Sequence, residues 1–384
     1  MHVAQWVQVG NDIDGKNRVD SSGTFVALSS DGAVVAIGAR SNGSGGRFGY
    51  VRVYVNAGGG WEQRGSDLDG SVADEGVGWS FSLSADGTIL AVGAMFANSV
   101  NGIGSGRVHV FQWTSHTWQP LGSTLDGVEA GDQFGNSLAL SDDGTILAVG
   151  AFLNGPIFGV GQVRVFAWTG TDWTQRGRDL RGSNPEDFFG SSVSLSFDGS
   201  IVACGATRIW KDGSGYVVIY GWSGSAWQQK GTTLIGSFLD SDDFGGSVSL
   251  SGDGSIVAVG ANYYARVFRF TTGWVQIGHT IRGEVYSDFF GVSVSLSFDG
   301  KTILIGGPSN DSNGTNSGHA LVFRLSPNEQ EWMQVGQELI GEAAGDRFGT
   351  STSISDDGTR ISIGADFNDG NGNNAGHVRV YDLQ

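Results

Sequence analysis

A tryptophan followed by Gln and Gly, as in Trp61-Glu62-Gln63-Arg64-Gly65, recurs along the chain from Trp6, Trp61, Trp118, Trp173, Trp227, Trp274 and Trp332. Two further marks keep the same step. Ser-x-Asp-Gly places its aspartate at Asp31, Asp86, Asp143, Asp198, Asp253, Asp299 and Asp357. A Gly-Ala pair begins at Gly38, Gly93, Gly150, Gly205, Gly260 and Gly364, with Gly306-Gly307 as its variant. Seven copies of one unit exclude a chain of unrelated domains, and a repeat of roughly fifty residues is the period of propeller blades.

Each unit reads as four short strands. In the third, Ser137-Leu138-Ala139-Leu140-Ser141 alternates large and small residues. An Asp-Gly turn then leads into Ile146-Leu147-Ala148-Val149-Gly150-Ala151. Period-two alternation on both sides of Asp-Gly is a hairpin signal. Val163-Arg164-Val165-Phe166 follows a glycine-rich loop, and Trp173 opens the fourth strand. The chain starts with a lone fourth strand at Trp6–Gly10 and stops after a third strand, His377–Leu383. Neither fragment is a blade alone, and joined they remove two open sheet edges. The expectation is therefore an all-β, seven-bladed β-propeller of four-stranded blades, a single domain over residues 1–384, closed by the N-terminal strand completing the last blade.

Composition agrees with this reading. Gly contributes 65 residues against 5 Pro, as many tight turns and close strands require. A 39% hydrophobic fraction with 12 Trp is ample for a large core. The net charge of −17 excludes nucleic acid as an expected partner, because phosphate recognition needs clustered Lys and Arg. Cys204 is alone, so no internal disulfide framework exists. No apolar run is long enough to span a bilayer. The start, Met1-His2-Val3-Ala4-Gln5-Trp6, enters repeat sequence without a signal-peptide pattern, which points either to an intracellular protein or to an export signal upstream.

The units resemble FG-GAP repeats, the blade type of the integrin α-subunit propeller. The likeness rests on Phe134-Gly135, Phe189-Gly190, Phe244-Gly245, Phe290-Gly291 and Phe348-Gly349, each with fourteen residues before its Gly-Ala or Gly-Gly mark. It covers essentially the whole chain, although Ser22 and Val77 replace Phe in the first two units. The resemblance implies extracellular or cell-surface ligand recognition and adhesion. It does not carry over that family's calcium sites, which occupy a long Asp-rich loop where this chain has the short Ser-x-Asp-Gly turn.

An acid stands eighteen residues before the first Gly of every Gly-Ala or Gly-Gly mark: Asp20, Glu75, Asp132, Asp187, Asp242, Asp288 and Asp346. The expected location is the channel mouth, where seven carboxylates would attract a cation or a basic partner. A carboxylate accepting N–H groups of its own turn is the plainer reading, favoured because all seven copies have it. The large length changes lie between the Gly-Ala mark and the next Trp. The candidate ligand-binding residues in those loops are Phe152, Phe158, Trp210, Tyr263, Tyr264, Asp311, Asp366 and Phe367. Asp366, Asn368, Asp369 and Asn371 offer oxygen ligands, making calcium a candidate although no cofactor is required. Asn42, Asn310 and Asn313 begin glycosylation sequons in the same loops.

His319 and His377 share a repeat slot with Tyr50, Arg107, Gln162, Tyr216 and Arg266, read as a surface strand position. Cys204 occupies a slot otherwise held by Ile and Val, read as a buried small hydrophobe. These features favour a non-catalytic recognition module, a monomeric propeller whose loops on one face bind a protein or glycan. The alternatives are a carbohydrate- or ester-active propeller enzyme using the mouth carboxylates, and a purely structural repeat of a larger surface protein.

Overall fold

The computed structural model describes residues 4–41, 48–70, 75–155, 159–207, 214–236 and 243–384. Seven antiparallel sheets follow one another around a central axis. The third is representative, running Leu138–Leu140, Ile146–Ala151, Gln162–Trp168 and Trp173–Gln175 from axis to rim. Six sheets carry an additional two-residue strand beside the start of the third strand, such as Leu180–Arg181 opposite Gln162–Trp168. In the fifth blade this piece merges with the fourth strand into Trp274–Arg282. The only helix among the described residues is the single turn Tyr286–Asp288, so none is long and apolar enough to cross a membrane.

The closure is as the sequence predicts. Trp6–Gln8 pairs antiparallel with His377–Leu383, Trp6 opposite Leu383 and Gln8 opposite Tyr381. Ile13–Asp14 then pairs with the start of the same strand.

Each repeated mark proves to be half of a contact between blades. At the rim, every repeat tryptophan donates its indole N–H to a carbonyl of the preceding unit. Examples are Trp61 to Val9, Trp118 to Arg64 and Trp173 to Leu121, and Trp6 to Val335 closes the circle. Midway along the blade, the glycine of Gly-Ala packs on the carbonyl of the Phe-Gly glycine in the next blade, as Gly150 does on Gly190 and Gly205 on Gly245. A Cβ at Gly150 would collide with that oxygen, so the position admits no side chain.

Closest to the axis lie the Ser-x-Asp-Gly hairpins. The serine hydroxyl bonds the aspartate, which accepts a turn N–H, as in Ser141–Asp143 at 2.7 Å and Thr145 N–H to Asp143 at 2.9 Å. The residue x links blade to blade through its backbone. Ser30 donates to Ala85, Ala85 to Asp142, Asp142 to Phe197, Phe197 to Gly252, Gly252 to Phe298, Phe298 to Asp356, and Asp356 back to Ser30, all at 2.8–2.9 Å. Seven main-chain hydrogen bonds thus form an unbroken ring at this end of the channel.

Apolar side chains fill the wedges between neighbouring sheets. Phe134, Phe189, Phe244, Phe290 and Phe348 are fully buried, as is Cys204, whose thiol burial pushes upward in pKa. Its slot is therefore a packing position.

Candidate functional site

The loops joining second to third strands cover the face opposite the hairpin ring. Their fastening begins with the repeated acid. Asp132 accepts the N–H groups of Val128 and Glu129 at 2.9 and 2.8 Å. Asp187 does the same for Ser183 and Asn184, and Asp20 for Lys16 and Asn17. Asp20, Asp132, Asp187, Asp288 and Asp346 are all buried. They lie inside the blades and do not line the opening. Glu75 is half-buried, and Asp242 falls outside the described residues.

What the sequence reading missed is the side chain that donates to the acid in five of the blades. In the third, sixth and seventh blades an asparagine four residues past the first Gly of the Gly-Ala or Gly-Gly mark donates its amide. The pairs are Asn154 to Asp132 at 2.9 Å, Asn310 to Asp288 at 3.1 Å and Asn368 to Asp346 at 3.0 Å. In the first and fourth blades a tyrosine hydroxyl takes this role, Tyr50 to Asp20 at 2.8 Å and Tyr216 to Asp187 at 2.6 Å. Burial first, and the adjoining carboxylate with it, hold the Tyr216 phenol well above its ordinary pKa. The acids therefore anchor the loops. The regular placement of Asn154, Asn310 and Asn368 after the mark was the available signal.

The candidate loop residues separate into buried and accessible groups. Asp366 is buried, bonded to the Thr350 hydroxyl at 2.9 Å and ion-paired with Arg40. Asn368 is buried on Asp346. Asp369 accepts the Asn374 N–H at 2.7 Å, while Asn371 donates to the Gly15 carbonyl at 2.7 Å. The four proposed calcium ligands thus spread over separate partners, and Asn371 ties the last loop to the closing segment. Tyr264 does not lie in a loop: it begins the buried third strand Tyr264–Phe270, opposite Ala261. Phe152, Tyr263 and Phe367 are partly exposed and Asp311 is exposed, whereas Phe158 and Trp210 lie outside the described residues. Of the sequon asparagines, Asn310 is buried and Asn313 donates its amide to Gly341 and Glu342 carbonyls; Asn42 is outside the described residues.

The shared slot of His319 and His377 is also corrected. Tyr50, Gln162, His319 and His377 are buried there, and the strand register puts Tyr264, not Arg266, in the fifth copy. Two occupants of the slot meet the repeated acid, Tyr50 on Asp20 and Tyr216 on Asp187, whereas Arg107 and His319 pair with Asp126 and Glu338.

The mouth on the loop face is lopsided. On the side of the seventh, first and second blades, Arg40 stacks on Trp79 at 5.0 Å and Phe367 lies under Arg347 at 4.9 Å. Phe96 meets Trp79 edge-on, and the Trp79 indole N–H is buried without a partner. Across the fourth to sixth blades the wall is small and polar. Thr207, Asp243, Ser247, Asn262, Gly291 and Val292 surround a pocket of about 210 Å³. Behind it the channel is a cavity of about 260 Å³ lined by Asn136, Ser191, Ser192, Ser247, Thr350 and Ser351 among others. Such a surface offers hydroxyl and amide hydrogen bonds against an aromatic and cationic wall.

The architecture defines a seven-bladed β-propeller. Residues 284–323, within the sixth unit, match the FG-GAP repeat family model, and with the seven-bladed ring this bears out the resemblance read from the sequence. No curated protein matches the chain in sequence. Many solved structures match this chain, and three of them show the shared fold at low identity. The hydrazine synthase of Kuenenia stuttgartiensis is 12% identical with a TM-score of 0.59, covering 93% of this chain and 94% of that one. The Cps50 (Swd1) β-propeller domain of Myceliophteria thermophila is 12% identical with a TM-score of 0.61, covering 100% of both. A putative 6-phosphogluconolactonase from Bacteroides uniformis is 13% identical with a TM-score of 0.58, covering 83% of this chain and 86% of that one. At such identities the likeness is one of fold.

Proposed function

We propose that the protein is a non-catalytic recognition module that binds a protein or glycan at its loop face, in the manner of a surface adhesion domain. The observation that carries this is the lopsided mouth. Arg40, Trp79, Arg347 and Phe367 form one wall and the Thr207–Ser247–Asn262 pocket the other, on a frame that is otherwise the same in every blade. Aromatic faces stack on sugar rings or anchor peptide side chains, and hydroxyls and amides set orientation. The buried anchoring acids support this reading over hydrolysis, because paired catalytic carboxylates must reach a substrate.

The test is a glycan array and an unbiased pull-down, each run with calcium and with chelator. Phe367→Ala and Asn262→Ala are expected to abolish capture of any ligand found. Phe298→Ala, on the opposite face, is expected to retain it. Capture unaffected by both loop-face changes, or lost only with Phe298→Ala, overturns the assignment.

A further inference from the structure

The seam where the ring closes brings together three potential metal donors. Asp12 lies between the paired segments Trp6–Gln8 and Ile13–Asp14, His377 opens the last strand, and Glu342 precedes the first strand of the same blade. One donor atom from each lies within 4.8 Å of the others. We propose that Asp12, Glu342 and His377 bind a divalent transition metal of the zinc type, which clips the N-terminal segment to the last blade.

The imidazole provides the first argument. His377 is 1% exposed and neither ring nitrogen has a hydrogen-bond partner. A buried polar group in that condition is costly and calls for a ligand.

The sixth blade supplies an internal control. There His319 occupies the same slot, Glu338 stands where Asp12 does, and Nδ1 to Oε1 is a direct contact at 2.5 Å. In the closing blade the equivalent Nδ1–Oδ2 separation is 3.4 Å. Two donors on one tetrahedral zinc, with bonds of about 2.0–2.1 Å, stand about 3.4 Å apart. At Nδ1 the sixth-blade pair is closed on itself, although its Nε2 is unpartnered too, and the seventh-blade pair is spaced for an ion.

Charge points the same way. Asp14, in register opposite His377, joins Asp12 and Glu342, and among the described residues Arg379 is the one Lys or Arg ion-paired with any of the three, holding Asp12 and Glu342. Two negative charges are left for a divalent cation to neutralise. Arg379 holds Asp12 through Nε at 3.1 Å and Nη2 at 3.3 Å and also contacts Glu342. A carboxylate oxygen has more than one lone pair, so Arg379 orients the ligands without using them up. One imidazole with two carboxylates suits zinc and its neighbours, whereas calcium prefers all-oxygen cages.

A metal bound only by the closed ring raises its stability by mass action. The experiment strips the full-length protein with chelator, adds zinc chloride, and follows binding by calorimetry and unfolding by heat. The expected result is about one zinc per chain and a melting temperature that rises with zinc but not with calcium. Glu342→Gln, at a half-exposed position expected to fold normally, is expected to weaken zinc binding about 10- to 100-fold. His377→Gln is expected to abolish binding, and His319→Gln to bind as the parent does. Absence of zinc binding, binding unchanged by Glu342→Gln, or loss on His319→Gln would overturn the site. If His377→Gln fails to fold, the Glu342→Gln and His319→Gln pair still decides.

Discussion

The two faces of the propeller are built from the same repeat by different means. On the hairpin face each unit contributes a Ser-x-Asp-Gly turn, and main-chain hydrogen bonds link the seven copies in a ring. Only the side chain of x is free to differ. It is Asp142, Phe197, Phe298 or Asp356 in four blades and small in the other three. On the loop face the repeated acid is anchored by side chains that change from blade to blade, Tyr50 or Tyr216 in one pattern and Asn154, Asn310 or Asn368 in the other. Backbone-mediated contacts enforce uniformity because every residue supplies the same groups. Side-chain fastening permits variety, and recognition surfaces are drawn from that variety.

Substitutions in the shared frame are expected to cost most. Trp332→Ala removes a buried indole and its bond to the Ile277 carbonyl, and is expected to destabilise by about 3–5 kcal/mol in urea unfolding. Phe367→Ala on the loop face is expected to cost far less, and equal losses would erase the distinction between frame and loop.

Gly150→Ala forces a methyl group against the Gly190 carbonyl, with an expected cost of about 1–3 kcal/mol. Gly221→Ala, a strand position with open space around it and no positive φ, is expected to be neutral or to stabilise by about 0.5–1 kcal/mol. A reversed order would show that the glycine marks do not record contact between blades.

Asp132→Ala leaves the Val128 and Glu129 N–H groups and the Asn154 amide without their acceptor, and about 1–3 kcal/mol of stability is expected to go. Asp311→Ala, exposed in the loop of the sixth blade, is expected to stay within about 0.5 kcal/mol, since surface changes of this kind are generally small. Hydrogen exchange at residues 151–155 gives a second reading, because loosening around Asn154 is the predicted result of losing its anchor.

The smallest effect is one of pH, on the hairpin face. Burial and then the Asp356 carboxylate push Asp142 up to about 6 from the usual 3.8. The folded state thus holds this proton more tightly than the unfolded chain does. Stability is lost as pH rises from about 4 to about 6 and stays lower above that. Asp142→Asn is expected to raise stability by about 1 kcal/mol at pH 7, after discounting for solvent screening of a half-buried group, and to change little near pH 4. Thermal melts at the two pH values measure the difference, and equal shifts at both would remove Asp142 from the account.

Much of the architecture was legible in the sequence because repetition does the work of an alignment. The Trp, Ser-x-Asp-Gly and Gly-Ala marks give seven units, and the mismatched ends give the closure at Trp6. The loop face was less legible. Tyr264 looks like a loop residue because the fifth unit is short, yet the shortened loop pulls it into the strand. Asp366 looks like a metal ligand by composition, but Arg40, distant by 326 positions in sequence, already holds it. His319 and His377 looked exposed because their slot is chemically varied, whereas both are buried, His319 against Glu338 and His377 beside Asp12.

The sequence by itself determined the number of blades, the strand order within each and the way the ring closes, since these follow from local periodicity and turn chemistry repeated without exception. Only the tertiary structure decided what the marks are for. An indole bonded to the preceding blade, a glycine pressed on the next blade's carbonyl and a hairpin N–H passed around the axis are contacts between units, invisible to the pattern within one. The same reason leaves Asp12, Glu342 and His377 scattered over the chain and gathers them at one seam, where closing the ring joins its two ends.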